Sequence, residues 1–259
     1  MSLRQLRIWA WLVGLLLLSP AFTWAQGKAP EIIKGTKKIS PKPSQAKPAP
    51  AEKEGGPPQE LAADPDYQQA LKQYQAGKYD QAVKAFRQAQ KKHPASAELH
   101  YQLGLAQAAS GDLEQAKASF QEALRLKPDY AAARLGLGKL FGQEGVSLLK
   151  QGNPAGAEGP LREAITQNPQ DDAAYANLGV ALAQQERFRE ALEALKAAVD
   201  LNPNNPKAQF NLGVTYYLLG NKDGASQQYA IISLLDPEAG EELFRLIQRT
   251  SQVAAPFRY

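Results

Sequence analysis

The sequence predicts an all-α protein in which about five helix pairs stack into a solenoid that ends in a capping helix. Two observations support this prediction. Prolines recur at one fixed interval, and small and bulky apolar residues keep fixed distances from them. The prolines are Pro94, Pro128, Pro169, Pro203 and Pro237, and only the interval from Pro128 to Pro169 is longer than the others.

Each interval repeats one order of side chains before its proline. A small residue opens the block: Ala70, Gly104, Gly138, Gly179 and Gly213. An alanine stands twelve residues before the proline: Ala82, Ala116, Ala157, Ala191 and Ala225. A large apolar residue stands eight residues before it: Phe86, Phe120, Leu161, Leu195 and Tyr229.

This order resembles the tetratricopeptide repeat, a helix-turn-helix unit of the same period. The resemblance implies a right-handed superhelix whose first helices line a concave face. The physical chemistry of the pattern points the same way. Two helices approach closely where side chains are nearly absent, and proline ends a helix because it lacks an N–H donor. One helix pair cannot bury its own apolar face, so the units must stack.

The chain begins with the features of a secretory signal peptide. Arg4 and Arg7 precede an apolar run over residues 8–18, and small residues lead to a cleavage site after Ala25. The alternative is an uncleaved membrane anchor, since the apolar stretch approaches the ~20 residues that a membrane span requires. The chain has no cysteine, which excludes a lipoprotein anchor and a disulfide framework.

Residues 26–60 are rich in proline and lysine, and this composition predicts a disordered linker. The leader and linker also carry the excess positive charge, because the rest of the chain has nearly equal numbers of acidic and basic residues. The sequence pI of about 9.1 therefore does not indicate a basic binding face. We expect no nucleic-acid partner, and membrane contact only if the leader is not cleaved.

The repeat array is predicted over residues 61–237, in units 61–94, 95–128, 129–169, 170–203 and 204–237. Asp64 and Pro65 have the residue types of an N-cap and a first helical position. Gly77 and Gly111 mark turns between paired helices, and Asp171 or Asp172 is expected to cap unit four. Residues 238–250 predict a capping helix that is polar on one side, and residues 251–259 a tail.

Unit three contains seven extra residues, which correspond to nearly two helical turns. The simplest prediction is a long first helix from about Tyr130 to Lys150, which its glycines could bend or break near Gly145. The second helix should begin at Asn153 and Pro154. We expect it to be distorted, because Pro160 falls near its middle. We expect the insertion to be either a hinge or projecting contact element, or a tolerated insertion.

The sequence gives little support for an enzyme. The two histidines, His93 and His100, are separated by a helix-ending proline, and this spacing fits neither a metal site nor a nucleophile with its base. The glycines recur as packing and turn positions, so none forms a phosphate-binding loop. We therefore predict no catalytic residue, no metal and no cofactor.

The resemblance implies that the inner face of the first helices binds a protein or peptide. Rings offer contact area at low entropic cost, and amides can satisfy a ligand backbone. Mapped by register, the candidate residues of this face are Tyr67, Gln68, Leu71, Tyr74, Tyr101, Gln102, Leu105, Lys139, Asn177, Val180, Lys207, Phe210, Asn211, Val214 and Tyr217.

Some members of the family bind a C-terminal carboxylate through two lysines, two asparagines and an arginine. In this register Lys139, Asn177, Lys207 and Asn211 occupy four of those five positions. Lys139 stands where an asparagine is required and Asn211 where an arginine is required, while Leu135 replaces a lysine. The clamp is therefore incomplete. Asn177 and Asn211 could instead stabilise the stack.

The resulting prediction is a non-enzymatic scaffold of the cell envelope, exported to the periplasm or secreted, that binds a protein segment. The alternative is an assembly or secretion accessory factor held in the inner membrane by an uncleaved N-terminal helix.

Overall fold

The computed structural model describes residues 57–253, and these residues form helices without strands. The predicted leader, most of the predicted linker and the last six residues lie outside this part of the chain. The helices are α1 (Gln59–Ala63), α2 (Pro65–Gln75), α3 (Tyr79–Lys92), α4 (Ala97–Ser110), α5 (Leu113–Leu126), α6 (Ala131–Lys150), α7 (Pro154–Gln167), α8 (Asp172–Gln184), α9 (Phe188–Leu201), α10 (Pro206–Leu218), α11 (Lys222–Leu235) and α12 (Pro237–Val253).

Helices α2 to α11 form five pairs, and each pair packs on the next in chain order. The predicted all-α solenoid is confirmed. The short helix α1 was not predicted, because its residues fall at the junction of the linker and the first unit. Its Leu61 is 1% exposed and joins Tyr67 and Phe86 in the first core cluster. Helix α1 therefore covers the open end of unit one.

Polar side chains begin most of the helices. Asp64 accepts hydrogen bonds from the N–H groups of Asp66 and Tyr67, with Pro65 at the first helical position, so the predicted cap is confirmed. Asp171, rather than Asp172, caps α8. The same role is played elsewhere by Ser96, Asp112, Asn153, Asn205, Asn221 and Asp236. These caps satisfy N–H groups that have no partner inside the helix.

The turn between paired helices requires a left-handed residue. Glycine fills this position in four units, at Gly77, Gly111, Gly152 and Gly220. In unit four the position is held by Glu186, with φ of 62°. Glycine adopts this conformation without steric cost, whereas glutamate does not.

The small residue of the first helix packs directly against the bulky residue of the second. A methyl group added at Gly104 would lie 2.8 Å from the ring of Phe120, and one added at Gly179 would lie 2.5 Å from Leu195 Cγ. Unit five differs. A methyl group at Gly213 would meet Leu243 of α12 at 2.5 Å, so the final helix fills this space.

The seven extra residues of unit three lengthen its first helix. Helix α6 has 20 residues and is continuous through Gly145, so it does not break there, and a bend at Gly145 stays a prediction. Gly138 faces Gln167 of α7, and Gly145 faces Leu161, which lies more than one turn earlier in α7. Gly145 thus makes the contact that the small residues of units two and four make. The prediction that Gly138 opens the packing block of unit three was wrong, because Gly145 holds that position.

Helix α7 begins at Pro154 with Asn153 as its cap, as predicted. Pro160 does not interrupt it: α7 has 14 residues, as many as α5 and α9. The helix is thus not shortened at Pro160, while distortion of its axis stays a prediction, and two glycines explain the continuity. Gly159 precedes the proline and has no Cβ to clash with its ring. Gly156 is exposed, so water can reach the carbonyl that Pro160 leaves without a donor.

Side chains early in three of the first helices bond to the proline that ends the preceding unit. The carbonyl of Pro94 lies 3.0 Å from His100 Nε2, that of Pro128 accepts from Arg134 at 2.7 Å, and that of Pro203 accepts from Gln209 at 2.8 Å. Each bond spans six residues and crosses a boundary between units. These proline-carbonyl bonds were not predicted, because three different side chains make them.

Helix α12 closes the solenoid and continues to Val253, three residues beyond its predicted end. Leu243 is fully buried, while Glu241, Glu242 and Arg245 are exposed, so the predicted polar outer side is confirmed. Within residues 57–253, no helix is both long and apolar enough to cross a membrane.

Candidate functional site

The first helices of the pairs line the inner side of the solenoid. Each contacts the first helix of the next unit, from α4 to α6, α8, α10 and finally α12. Among the described residues, the second helices of neighbouring units make no comparable contact with one another. Elements on the inside of a curve lie closer together than those outside. The inner face is therefore built from α4, α6, α8, α10 and the side of α2 that continues it.

Most of the predicted residues of this face are accessible. Lys139 and Lys207 are exposed, and Gln68 is exposed beside α1. The half-buried members are Leu71, Tyr74, Tyr101, Gln102, Leu105, Asn177, Val180, Phe210, Asn211 and Tyr217. Their exposed edges give the face alternating apolar and polar surface.

Two predicted residues lie in the core instead. Tyr67 is 2% exposed, because α1 covers unit one and the Tyr67 ring packs 5.9 Å from that of Phe86. Burial and the charge of Glu98 raise the pKa of Tyr67 to about 12. Val214 is 9% exposed and packs with Ile232 and Leu243 below the capping helix. Including Tyr67 and Val214 in the binding face was wrong.

Aromatic rings cluster where units two and three meet. The ring of Tyr101 lies 5.9 Å from that of Phe120 and 5.2 Å from that of Tyr130. Lys127 Nζ is 5.0 Å from the centre of the Tyr130 ring. Tyr130 itself is buried, so Tyr101 presents the accessible edge of this cluster.

A row of amide side chains follows the inner face from unit to unit. They stand two residues before the small packing residue: Gln68, Gln102, Gln143, Asn177 and Asn211. Gln68 donates to the Ala62 carbonyl and Gln102 to Glu98. The side chains of the other three make no hydrogen bond to any described residue. Asn177 and Asn211 therefore do not stabilise the stack by hydrogen bonding.

Gln143 was missed by the sequence analysis because unit three was aligned on Gly138. With Gly145 in the packing position, Gln143 falls in the amide row and Val146 aligns with Val180. Lys139 stays on the inner face, since seven residues are nearly two whole turns.

A signal for this register was present in the sequence. In unit four, Gly179 is the packing residue and Pro203 is the closing proline, and the number of positions between them can be counted in the sequence. The same distance measured back from Pro169 ends at Gly145, so aligning unit three from its proline would have found Gln143.

The corrected register also changes the carboxylate clamp. The positions assigned to Leu135 and Lys139 fall on Gly142 and Val146, which have no polar side-chain group. Only Asn177 and Lys207 then match the clamp. This face does not carry the family's carboxylate-binding set.

The histidines have structural surroundings. His93 Nε2 lies 3.2 Å from the Asp64 carboxylate, and His100 lies between Gln90 and the Pro94 carbonyl. Burial raises the pKa of Asp64, but hydrogen bonds from the Tyr67 N–H, Lys92, the Asp66 N–H and His93 outweigh it, so that pKa is lowered. Over residues 57–253, no group of three or more histidine, aspartate or glutamate side chains is arranged to hold a metal ion.

Comparison with known families gives one consistent result. A tetratricopeptide repeat model matches residues 67–129, 101–141 and 143–206, and a second model with the same description matches residues 182–249. The third match starts at residue 143, in the second half of α6. This start agrees with the register set by Gly145. No curated protein sequence matches the chain.

Solved structures resemble the fold. A structure described as MamA AMB-1 shares 24% identity, with a TM-score of 0.50, covering 66% of this chain and 90% of that one. MamA from Desulfovibrio magneticus RS-1, residues 41 to the end, shares 24% identity, with a TM-score of 0.48, over 67% and 94% of the two chains. YrrB, described as a tetratricopeptide repeat protein with an unusual peptide-binding site, shares 22% identity, with a TM-score of 0.49, over 74% and 93%.

Proposed function

Because this chain belongs to the tetratricopeptide repeat family, we propose that it is a non-catalytic scaffold whose inner face binds an extended segment of a protein partner. Members of this family are generally interaction modules, and protein or peptide partners follow from the fold. The binding face, the form of the ligand and the cellular location are our proposals.

The observation that carries the proposal is the amide row in units three to five. Gln143, Asn177 and Asn211 lie on successive first helices, and their side-chain amides make no hydrogen bond to a described residue. An amide offers both donors and an acceptor, which are the groups that an extended backbone needs. Val146, Val180 and Phe210 lie beside the row and are half-buried, so a ligand would also cover apolar surface.

The cellular location that we propose is the bacterial envelope. It rests on Arg4, Arg7 and the apolar run over residues 8–18. A mature N-terminus at Gln26, read by mass spectrometry, would support export to the periplasm. A retained leader would favour the membrane-anchored alternative.

The proposed binding face is tested by selecting random twelve-residue peptides on the immobilised full chain. The double variant Asn177→Ala, Asn211→Ala should weaken binding of the selected peptides about tenfold, because each lost hydrogen bond contributes about 0.5–1.5 kcal/mol. Asn204→Ala is the matched control, since Asn204 is exposed in the loop before α10 and its side chain bonds to no described residue. Fluorescence anisotropy gives the dissociation constants.

If no peptide is selected, the proposed function is wrong. If peptides bind the double variant and the wild type equally well, the inner face is not their site.

A further inference from the structure

A second row of side chains on the inner face contains acidic and basic residues. These residues stand six positions before the small packing residue, which is one helical turn before the amide row: Asp64, Glu98, Lys139, Ala173 and Lys207. Residues four apart share one side of a helix. The row is acidic in units one and two and basic in units three and five, so its sign changes along the solenoid.

At the acidic end, Glu98 is the group that a ligand can reach. Asp64 is buried and already bonded to Lys92, His93 and two backbone N–H groups. Glu98 is half-buried and accepts from Gln102 Nε2 at 2.7 Å and from the Tyr130 hydroxyl. Both donors are neutral, and no described cation forms an ion pair with Glu98. Its carboxylate therefore has no cationic partner among the described residues.

The surroundings of Glu98 suit a basic side chain. Tyr101 lies one turn further along α4, and its ring is 5.2 Å from that of Tyr130 and tilted by 52° to it. A guanidinium or ammonium group placed here could pair with the carboxylate and lie against an aromatic ring. Each of these contacts strengthens where water is partly excluded.

At the basic end, Lys139 and Lys207 are exposed, and their side chains form no ion pair or hydrogen bond with any described residue. Other cations that link elements of the fold do have partners. Lys117 pairs with Glu114 and Glu144, and Arg187 pairs with Glu158 and Glu190. The two lysines on the inner face therefore have no internal role in charge balance.

If the inner face binds a protein segment as proposed above, we propose further that it selects an extended peptide with a basic residue at one end and acidic residues toward the other. The basic residue contacts Glu98, and the acidic residues contact Lys139 and Lys207. Neighbouring first helices lie about 10 Å apart and an extended chain advances about 3.3 Å per residue, so one unit corresponds to about three residues. The first acidic position should lie about three residues from the basic one, and the second about six residues further.

The test reads the charge pattern of the peptides that the full chain selects from the random library. The selected set should be enriched in this order of charges, and its binding should weaken as salt concentration rises. Lys207→Glu should weaken binding of the selected peptides about tenfold and shift a repeated selection toward a basic residue at the second acidic position. Glu98→Lys should shift selection toward an acidic residue at the opposite end.

Lys84→Glu provides the control for net charge. Lys84 is exposed on the second helix of unit one and forms no ion pair with a described residue, so this variant should leave the selection unchanged. Peptides that depend on Asn177 and Asn211 but show no charge order would overturn this inference and leave the proposed function intact. Equal shifts with Lys84→Glu and Lys207→Glu would also overturn it, because net charge alone would then explain the selection.

Discussion

Glu186 is the one non-glycine residue with a positive φ in the part of the chain that the structure describes. It holds the left-handed turn position that glycine holds in the other four units, with φ of 62°. An L side chain in this region costs about 1–2 kcal/mol. Glu186 is exposed, and its side chain makes no hydrogen bond or ion pair with a described residue. The side chain of Glu186 therefore makes no described contact that offsets the strain.

We expect Glu186→Gly to stabilise the protein by about 0.5–1 kcal/mol, because the relief of strain exceeds the added entropy of the unfolded glycine. Urea unfolding followed by circular dichroism measures this change. The matched control is Gly111→Ala at the equivalent turn of unit two, where φ is 92° and the added methyl group meets nothing within 4 Å. It should cost about 1 kcal/mol through conformation alone. A destabilised Glu186→Gly variant would contradict the strain argument.

At the scale of the element, the two halves of α6 follow different alignments of the repeat. The first half is aligned with the preceding unit, and the second half with the other helix of its own unit. Arg134 in its first half bonds to Pro128 of the preceding unit, as Gln209 does to Pro203. Gly145 in its second half receives Leu161 of its own unit. The insertion separates these two functions of a first helix by nearly two turns, so both sides keep their orientation.

The two registers predict different outcomes for neighbouring glycines of α6. In Gly145→Ala the added methyl group would lie 2.5 Å from Leu161 Cγ, and we expect a loss of about 1–3 kcal/mol from overpacking. In Gly142→Ala the methyl group would meet Ala164 Cβ at 3.9 Å, an ordinary contact, and alanine should stabilise the helix by up to about 1 kcal/mol. Thermal unfolding of both variants measures the difference. Similar effects of the two substitutions would contradict the assignment of Gly145 as the packing residue.

The sequence predicted the helix pairs because proline and glycine act locally, on their own backbone. The register of unit three was missed because the unit was aligned forward on Gly138, whereas the spacing back from Pro169 reaches Gly145, and the contact with Leu161 confirms Gly145. Tyr67 was misplaced for a different reason. Its burial depends on α1, and the five residues of α1 are too few for a periodic pattern to appear.

At the scale of the whole molecule, each unit is stabilised by its neighbours, and the last unit depends on α12. In unit five the space beside Gly213 is filled by Leu243, which α12 supplies. Stability in such an array is close to a sum of unit and nearest-neighbour contributions. A defect at one end should therefore act over a short range.

We expect Leu243→Ala to destabilise the chain by about 2–5 kcal/mol, as for other fully buried leucines. Hydrogen exchange read by mass spectrometry should show faster exchange in α10, α11 and α12, with little change in α2 to α5. Glu242→Ala is the control, because Glu242 is exposed on the same helix and should leave exchange unchanged. A uniform rise in exchange along the whole array would contradict the short-range coupling.

The proline-carbonyl bonds also bear on how such arrays grow. The two partners of each bond lie within seven consecutive residues, yet they tie one unit to the next. A gene duplication that copies one repeat length carries both partners with it whenever its breakpoints avoid that short stretch. A copy that carries such a bond thus arrives already linked to the unit before it, and in this chain histidine, arginine or glutamine makes the link.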